Sequence, residues 1–356
     1  MKKFGLLVLV ICFLSPCAFA AELPADLRDS LPQAAEEAME EMVFENEKDL
    51  FSGVARIWDM AKEEVLSSLR EQFRPVATVL LMAILFGAAE SAAQGDLSVK
   101  VLTMAGVLAV TAVTAGDMTA LLGIGIEKIR ELSRFSKVLL PTLSAAAAAG
   151  GAVGTASVHQ VLTVFFADIL LTVTESLLVP MVYLFIGVTA AEAVAREGRL
   201  QGLSGLIKKT VTWAMTVTLT LFCSYLAVGG AVAGGADRLT VKMTKMAVSG
   251  AVPVVGSIVS EAAVTALAGA GMLKNMIGIF GILSVLALCL APFLQIAVQY
   301  LLYKAASFAA AMLGCDCLVK LIDGIGSAFG LVLGMVGSSA VLVMISILFS
   351  IMAVTV

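Results

Sequence analysis

Asp168 and Glu175 are two carboxylates placed inside long apolar sequence, and they stand seven residues apart. Seven residues is two helical turns, so both share one face of a helix. Further along, Gln295, Gln299 and Tyr303 recur at four-residue steps, with Lys304 beside them. An ionisable group in hydrocarbon costs about 2.5–3.5 kcal/mol on insertion scales, so such residues usually turn toward a bundle interior or toward water. Asp168, Glu175, Gln295, Gln299 and Lys304 are therefore the candidate lining of a hydrated path or substrate cavity. The same side chains also fit a second role, as hydrogen-bond partners between helices, and Glu192 and Lys304 are placed to snorkel from helix ends. Glu90 and Glu261 are further candidates. The path role predicts that Asp168→Asn with Glu175→Gln abolishes function while the chain still inserts.

Other chemistry finds little support. The chain contains no G-x-x-x-x-G-K-[ST] phosphate loop, no H-E-x-x-H and no G-x-S-x-G. Cys315 and Cys317 form a C-x-C, but the single histidine, His159, is far away, and two thiols do not make a zinc site. Cys223 and Cys289 read as small hydrophobes in apolar runs. A non-enzymatic protein without a cofactor or a metal is expected.

The elements that carry these residues follow from composition. The 356 residues are 60% hydrophobic with a mean hydropathy of +1.01, and 14 of the 27 acidic residues lie between Glu22 and Arg74. That much apolar surface suits a bilayer and not one soluble core. The expected fold is all-α: a polytopic transmembrane helical bundle of about eight to ten spans, preceded by a short helical extracytoplasmic segment. Residues 1–20 read as a signal peptide, with Lys2 and Lys3, an apolar stretch and an Ala18-Phe19-Ala20 site; an uncleaved first helix is the other reading. Residues 21–74 form the acidic exported segment, and 75–356 the membrane domain. Within the exported segment Leu50, Val54, Ile57, Trp58, Ala61, Val65, Leu69 and Phe73 make one apolar helical face, suited either to a protein partner or to a membrane surface. Glu36, Glu37, Glu40 and Glu41 crowd a helical stretch before it.

With an exported N-terminus and ten crossings, the loop Arg196–Lys209 faces the cytoplasm and carries four basic residues against Glu197, as the positive-inside bias requires. The basic stretches 128–137 and 238–245 then fall outside, against that rule. Both read as amphipathic helices at a membrane surface. Pro180 and Pro292 fit either a hinge or a tight turn between spans. The Ala- and Gly-rich stretches within 138–156 and 248–272 fit packed helices or re-entrant segments. A shift of 112 residues pairs Pro141 with Pro253, Pro180 with Pro292, Gly202 with Gly314 and Lys208 with Lys320, which suggests repeats near 98–209 and 210–321 or a chance alignment of apolar runs.

Several stretches, in order, resemble the stage III sporulation protein AE family of endospore-forming bacteria. They are Phe135-Ser136-Lys137-Val138-Leu139-Leu140-Pro141 with the Ala/Gly run through Gly154, then Gly202-Leu203-Ser204-Gly205-Leu206-Ile207-Lys208-Lys209, then Val252-Pro253-Val254-Val255-Gly256. The resemblance runs from about Leu31 to Val356. It implies a multi-pass subunit in the mother-cell membrane facing the forespore, part of a transenvelope secretion or feeding channel. The implied partners are the lipid bilayer, other subunits of the channel complex including ring-forming extracytoplasmic proteins and a separate ATPase, and a forespore-side protein; nucleic acid is not among them. The family offers no pore residues to carry over. An independent proton-coupled permease for a small solute is the competing expectation.

Overall fold

The computed structural model describes residues 47–93, 96–149, 155–194, 202–226, 256–312 and 316–352. The signal segment, the Glu36–Glu41 cluster, the 238–245 stretch and Pro253 lie outside them. The described residues form α1 (Glu47–Ala92), α2 (Asp96–Ala149), α3 (Thr155–Val173), a π-helical turn (Thr174–Leu178), α4 (Val179–Val194), α5 (residues 203–226), α6 (Gly256–Ala311) and α7 (Asp316–Met352). The expectation of an all-helical membrane bundle holds. Among the described residues five helical stretches are long and apolar enough to cross a bilayer: Gln72–Ala92, Ser98–Gly116, Phe165–Ala193, Asn275–Ala311 and Asp316–Ile351.

The helices are longer than the spans read from sequence, because the structure joins segments that prolines and charges had divided. Pro75, Pro141 and Pro292 all lie inside uninterrupted helices. Pro180 makes no turn either: α3, the π turn and α4 follow without a break. In the π turn the Val179 N–H donates to the Thr174 carbonyl, five residues back. The widened turn directly precedes Pro180, which has no N–H to continue the ladder and whose ring crowds the carbonyl four residues back. The basic stretch 128–137 is helical, as its periodicity suggests, but it is a continuous part of the long α2 and not a separate surface helix. Hydroxyls along the apolar helices turn back on their own backbone, as Thr111 to Val107, Thr114 to Val110, Thr189 to Phe185 and Ser346 to Leu342, which satisfies them without solvent.

Antiparallel pairs set the register. In α1 and α2, Phe86 packs over Gly106 and Thr103 donates to Glu90. In α6 and α7, the most extensive interface, Phe293 sits on Gly337, Tyr300 on Gly330 and Tyr303 on Gly326. The absence of a Cβ at these glycines lets large rings approach the α7 backbone. α1 runs parallel to α6, with Ile57 against Leu283 and Glu64 against Gln295. This changes the reading of the acidic segment's apolar face. Ile57, Ala61 and Val65 are buried, and Ile57 packs on α6 of the same chain, while Trp58 and Phe73 stay exposed.

Two core clusters stack along the bundle, one around Leu122, Tyr303 and Phe329, the other around Leu139, Phe222 and Val343. The α1–α2 hairpin is out of step with the rest. Thr111 and Thr114 of α2 share a small cavity with Thr189 and Ala190 at the end of α4 and with Leu321 near the start of α7. α2 begins at Asp96, so the hairpin reaches about 15 residues, roughly 20 Å, beyond the other turns. That arm exposes Leu81, Leu85, Val101, Met104 and Leu108.

Candidate functional site

The five polar residues singled out in the sequence fall at three places, each held by different helices. The first is a ladder between α2 and α3. Lys137 Nζ lies 3.1 Å from Asp168 Oδ1, and Arg130 Nε donates to Glu175 Oε1 at 2.9 Å. Both pairs obey one antiparallel register, because the seven-residue step from 130 to 137 meets the seven-residue step from 168 to 175. Glu127 adds contacts to Arg130 and Arg134, and Lys128 pairs with Glu131 at 2.7 Å. The basic residues of 128–137, one of the two stretches that conflicted with the positive-inside rule, are thus paired within a folded helix pair. Matched spacing was the available signal, but a partner across a helix turn cannot be chosen before the hairpin is known.

The second place is a seam between α1 and α6. Gln295 Nε2 donates to Glu64 Oε1 at 3.2 Å. One turn further along α6, Gln299 is 0% exposed, and neither its Oε1 nor its Nε2 has a partner among the described residues. Gln72, buried on α1, likewise has an Oε1 without a partner among the described residues. A buried amide left without hydrogen bonds costs about 1–3 kcal/mol, so these two side chains are interior points of demand for water.

The third place joins α5, α6 and α7. Lys304 Nζ donates to Asp323 Oδ1 at 2.6 Å, to the Asp323 carbonyl at 3.3 Å and to Ser327 Oγ at 3.0 Å. Lys208 Nζ donates to the same Ser327 oxygen at 3.1 Å. Tyr303, on the same face of α6, packs against Phe329. Asp323 and Ser327 had no sequence signal, and Lys208 stood out only as a basic residue of the 196–209 stretch; their joint role arises from three helices converging.

A tied turn brings Lys208 there. Gly202 has φ +99°, a left-handed conformation that glycine adopts without strain. Glu192, at the end of α4, then accepts from the Ser204 backbone N–H at 3.0 Å and from its hydroxyl at 2.5 Å, capping the first turn of α5. Glu192→Ala is expected to lower stability by about 1 kcal/mol, as loss of a cap does, read as a lower melting temperature in detergent. Glu192→Gln, which keeps an acceptor, should recover part of it.

Among the described residues no group of three or more His, Cys, Asp or Glu is placed to hold a metal. The geometry is one of charge pairing and polar contact between helices. The family model for stage III sporulation protein AE matches residues 34–355. A curated relative, stage III sporulation protein AE of Bacillus subtilis (strain 168), is 25% identical over 203 residues, which is 57% of this chain and 51% of the relative. The chain's match thus spans about half the length of that relative, and no solved structure matches it. Since the family model takes in nearly the whole bundle, this multi-pass chain belongs to the stage III sporulation protein AE family.

Proposed function

We propose that the chain is a non-enzymatic membrane subunit of a sporulation-specific channel complex linking mother cell and forespore, in the mother-cell membrane. The observation that carries this reading is the mismatch between its apolar and charged surfaces. At the level of the α2–α3 ladder, the outer faces of α3 and α5 expose Phe165, Ile169 and Leu221, which suit lipid. At that same level α1 and α2 expose Arg56, Asp59, Lys62, Glu63, Arg130, Arg134 and Lys137. Placed in hydrocarbon, charges in this number carry a desolvation penalty that ion pairing offsets only in part. A lone chain surrounded by lipid does not satisfy both faces. A chain that turns its charged collar toward other subunits, or toward an aqueous passage among them, satisfies both. Asp168 and Glu175 then serve the passage by fixing the Lys137 and Arg130 side chains of its wall.

The apolar arm of α1 and α2 supports the same reading, since it offers a second unfilled surface at a different height. Ring-forming extracytoplasmic proteins, a separate ATPase and a forespore-side protein are the partners this reading calls for. The permease reading draws on the α1–α6 seam, whose orphaned amides suit a hydrated route within one chain.

Two measurements separate the readings. Affinity purification from sporulating cells in mild detergent is expected to bring down co-encoded membrane and extracytoplasmic proteins. Solute uptake by the pure chain in vesicles, with no partner retained, would favour the permease. In a cysteine-free background, Arg134→Cys is expected to react with a membrane-impermeant maleimide in the isolated chain and to be protected in the assembled complex. Equal labelling in both would remove the collar from the partner interface and leave it facing water.

A further inference from the structure

Two ammonium groups in the α5–α6–α7 contact converge on one oxygen. Lys208 Nζ and Lys304 Nζ lie 3.1 and 3.0 Å from Ser327 Oγ. They therefore stand within about 6 Å of each other, where like charges in a half-buried setting repel. Ser327 is 4% exposed and the Lys304 side chain 28%. Among the described residues one carboxylate, Asp323, serves the pair, and Lys304 takes it. The three N–H bonds of Lys304 are all used, by Asp323 Oδ1, the Asp323 carbonyl and Ser327. Lys208 is different: its hydrogen bond among the described residues is to Ser327, no carboxylate among them pairs with it, and the residue is exposed.

We propose that this knot binds the phosphate group of an anionic phospholipid, with Lys208 as the contacting charge and Ser327 and Lys304 as the groups that hold it. The setting favours a lipid over a free ion. Lys208 lies in the second turn of α5, and Lys304 and Asp323 lie within about two turns of the α6–α7 connection, a depth of roughly 10 Å that corresponds to the headgroup boundary. The outer face of α5 beside it exposes Leu206 and Trp213, an aliphatic side chain and an interfacial aromatic against which an acyl chain can lie. By the positive-inside bias the short basic run with Arg196 and Arg199 favours the cytoplasmic leaflet for this end, where anionic lipids attract clustered lysines. The inference rests on the multi-pass membrane reading and not on the sporulation assembly.

Thermal unfolding of the full chain in neutral detergent micelles tests it, with phosphatidylglycerol, phosphatidylcholine or inorganic phosphate added at equal concentration. Phosphatidylglycerol is expected to raise the melting temperature by several degrees over phosphatidylcholine, since a ligand that binds only the folded state stabilises it. Lys208→Gln and Ser327→Ala should lose that increment, while Lys62→Gln, the same charge change on the collar, should keep it. The melting temperature of each variant without lipid serves as the folding control. An equal rise with inorganic phosphate would overturn the lipid source in favour of a free anion. No difference between the two lipids, or full retention of the shift in Lys208→Gln, would overturn the site. Failure of partner capture in the purification above would leave this result untouched.

Discussion

Gly330→Leu is expected to drive α6 and α7 apart and leave little folded protein. A Cβ at Gly330 would lie 3.0 and 3.1 Å from ring carbons of Tyr300, one at Gly337 3.1 Å from the Phe293 ring, and one at Gly326 3.2 Å from the Tyr303 Cβ. Rings have few ways to yield, and these three line about three turns of the chain's most extensive interface. Even one extra methylene in a packed core costs about 1–3 kcal/mol, and a leucine adds several carbons where the first already crowds. A loss of 3 kcal/mol or more is expected, about a third of a typical folding free energy. Gly330→Ala should cost less, because a shift of a few tenths of an ångström in the Tyr300 ring accommodates it. Gly187→Leu is the control: nothing lies within 4 Å of its Cβ position, and leucine is the better helix former by roughly 0.8 kcal/mol. Melting temperatures in detergent should therefore fall steeply for Gly330→Leu and hold or rise for Gly187→Leu. Similar losses in both would show that the α6–α7 approach does not depend on these glycines.

Fold class was legible in the sequence because hydrophobicity alone decides it: 60% apolar residues with charge gathered at one end require a bilayer. Element lengths were not legible. Pro180 and Pro292 looked like boundaries because proline breaks soluble helices, yet packed apolar neighbours let a helix run through them. The 128–137 stretch was legible as an amphipathic helix, but charge usually marks the membrane edge and so set it at the surface, whereas Arg130 and Lys137 find partners on the following helical stretch. The apolar face of the exported segment was correctly read from Ile57, Ala61 and Val65, but periodicity cannot tell which surface covers it; part of that surface is Leu283. The polar positions themselves stood out, since Gln and Lys are conspicuous in apolar runs. Their partners did not: Gln295 meets Glu64 from 231 residues away, and Lys208 meets Ser327 across 119. Contacts of that separation are set by how hairpins dock, which no local pattern encodes. The possible repeat stays a sequence pattern: α5 opens at residue 203 and α7 at 316, close to the 112-residue shift, but Pro253 lies outside the described residues.

Reversing both cations of the ladder, Arg130→Glu with Lys137→Glu, should abolish accumulation of a functional chain, and reversing the acids as well, Asp168→Lys with Glu175→Arg, should restore much of it. The double change sets four carboxylates along one helix interface, two pairs of like charge at separations that were 2.9 and 3.1 Å between opposite charges. The size of the loss reports what the collar faces. The side chains are between 36% and 56% exposed in the isolated chain. If that exposure is to water, each original pair contributes no more than about 1 kcal/mol, and reversal weakens the fold only modestly. If other subunits cover the collar, the effective dielectric falls toward about 20, and like charges at 4 Å then repel by roughly 4 kcal/mol per pair. Melting of the purified chain measures the first case, and steady-state level and sporulation efficiency in cells measure the second. A small effect in detergent beside a collapse in cells, with both rescued by the four-residue swap, places the ladder at an assembly interface. A small effect in both, without need of rescue, means the ladder does not hold α2 to α3, and the case for a subunit-facing collar would then rest on its exposed charges alone.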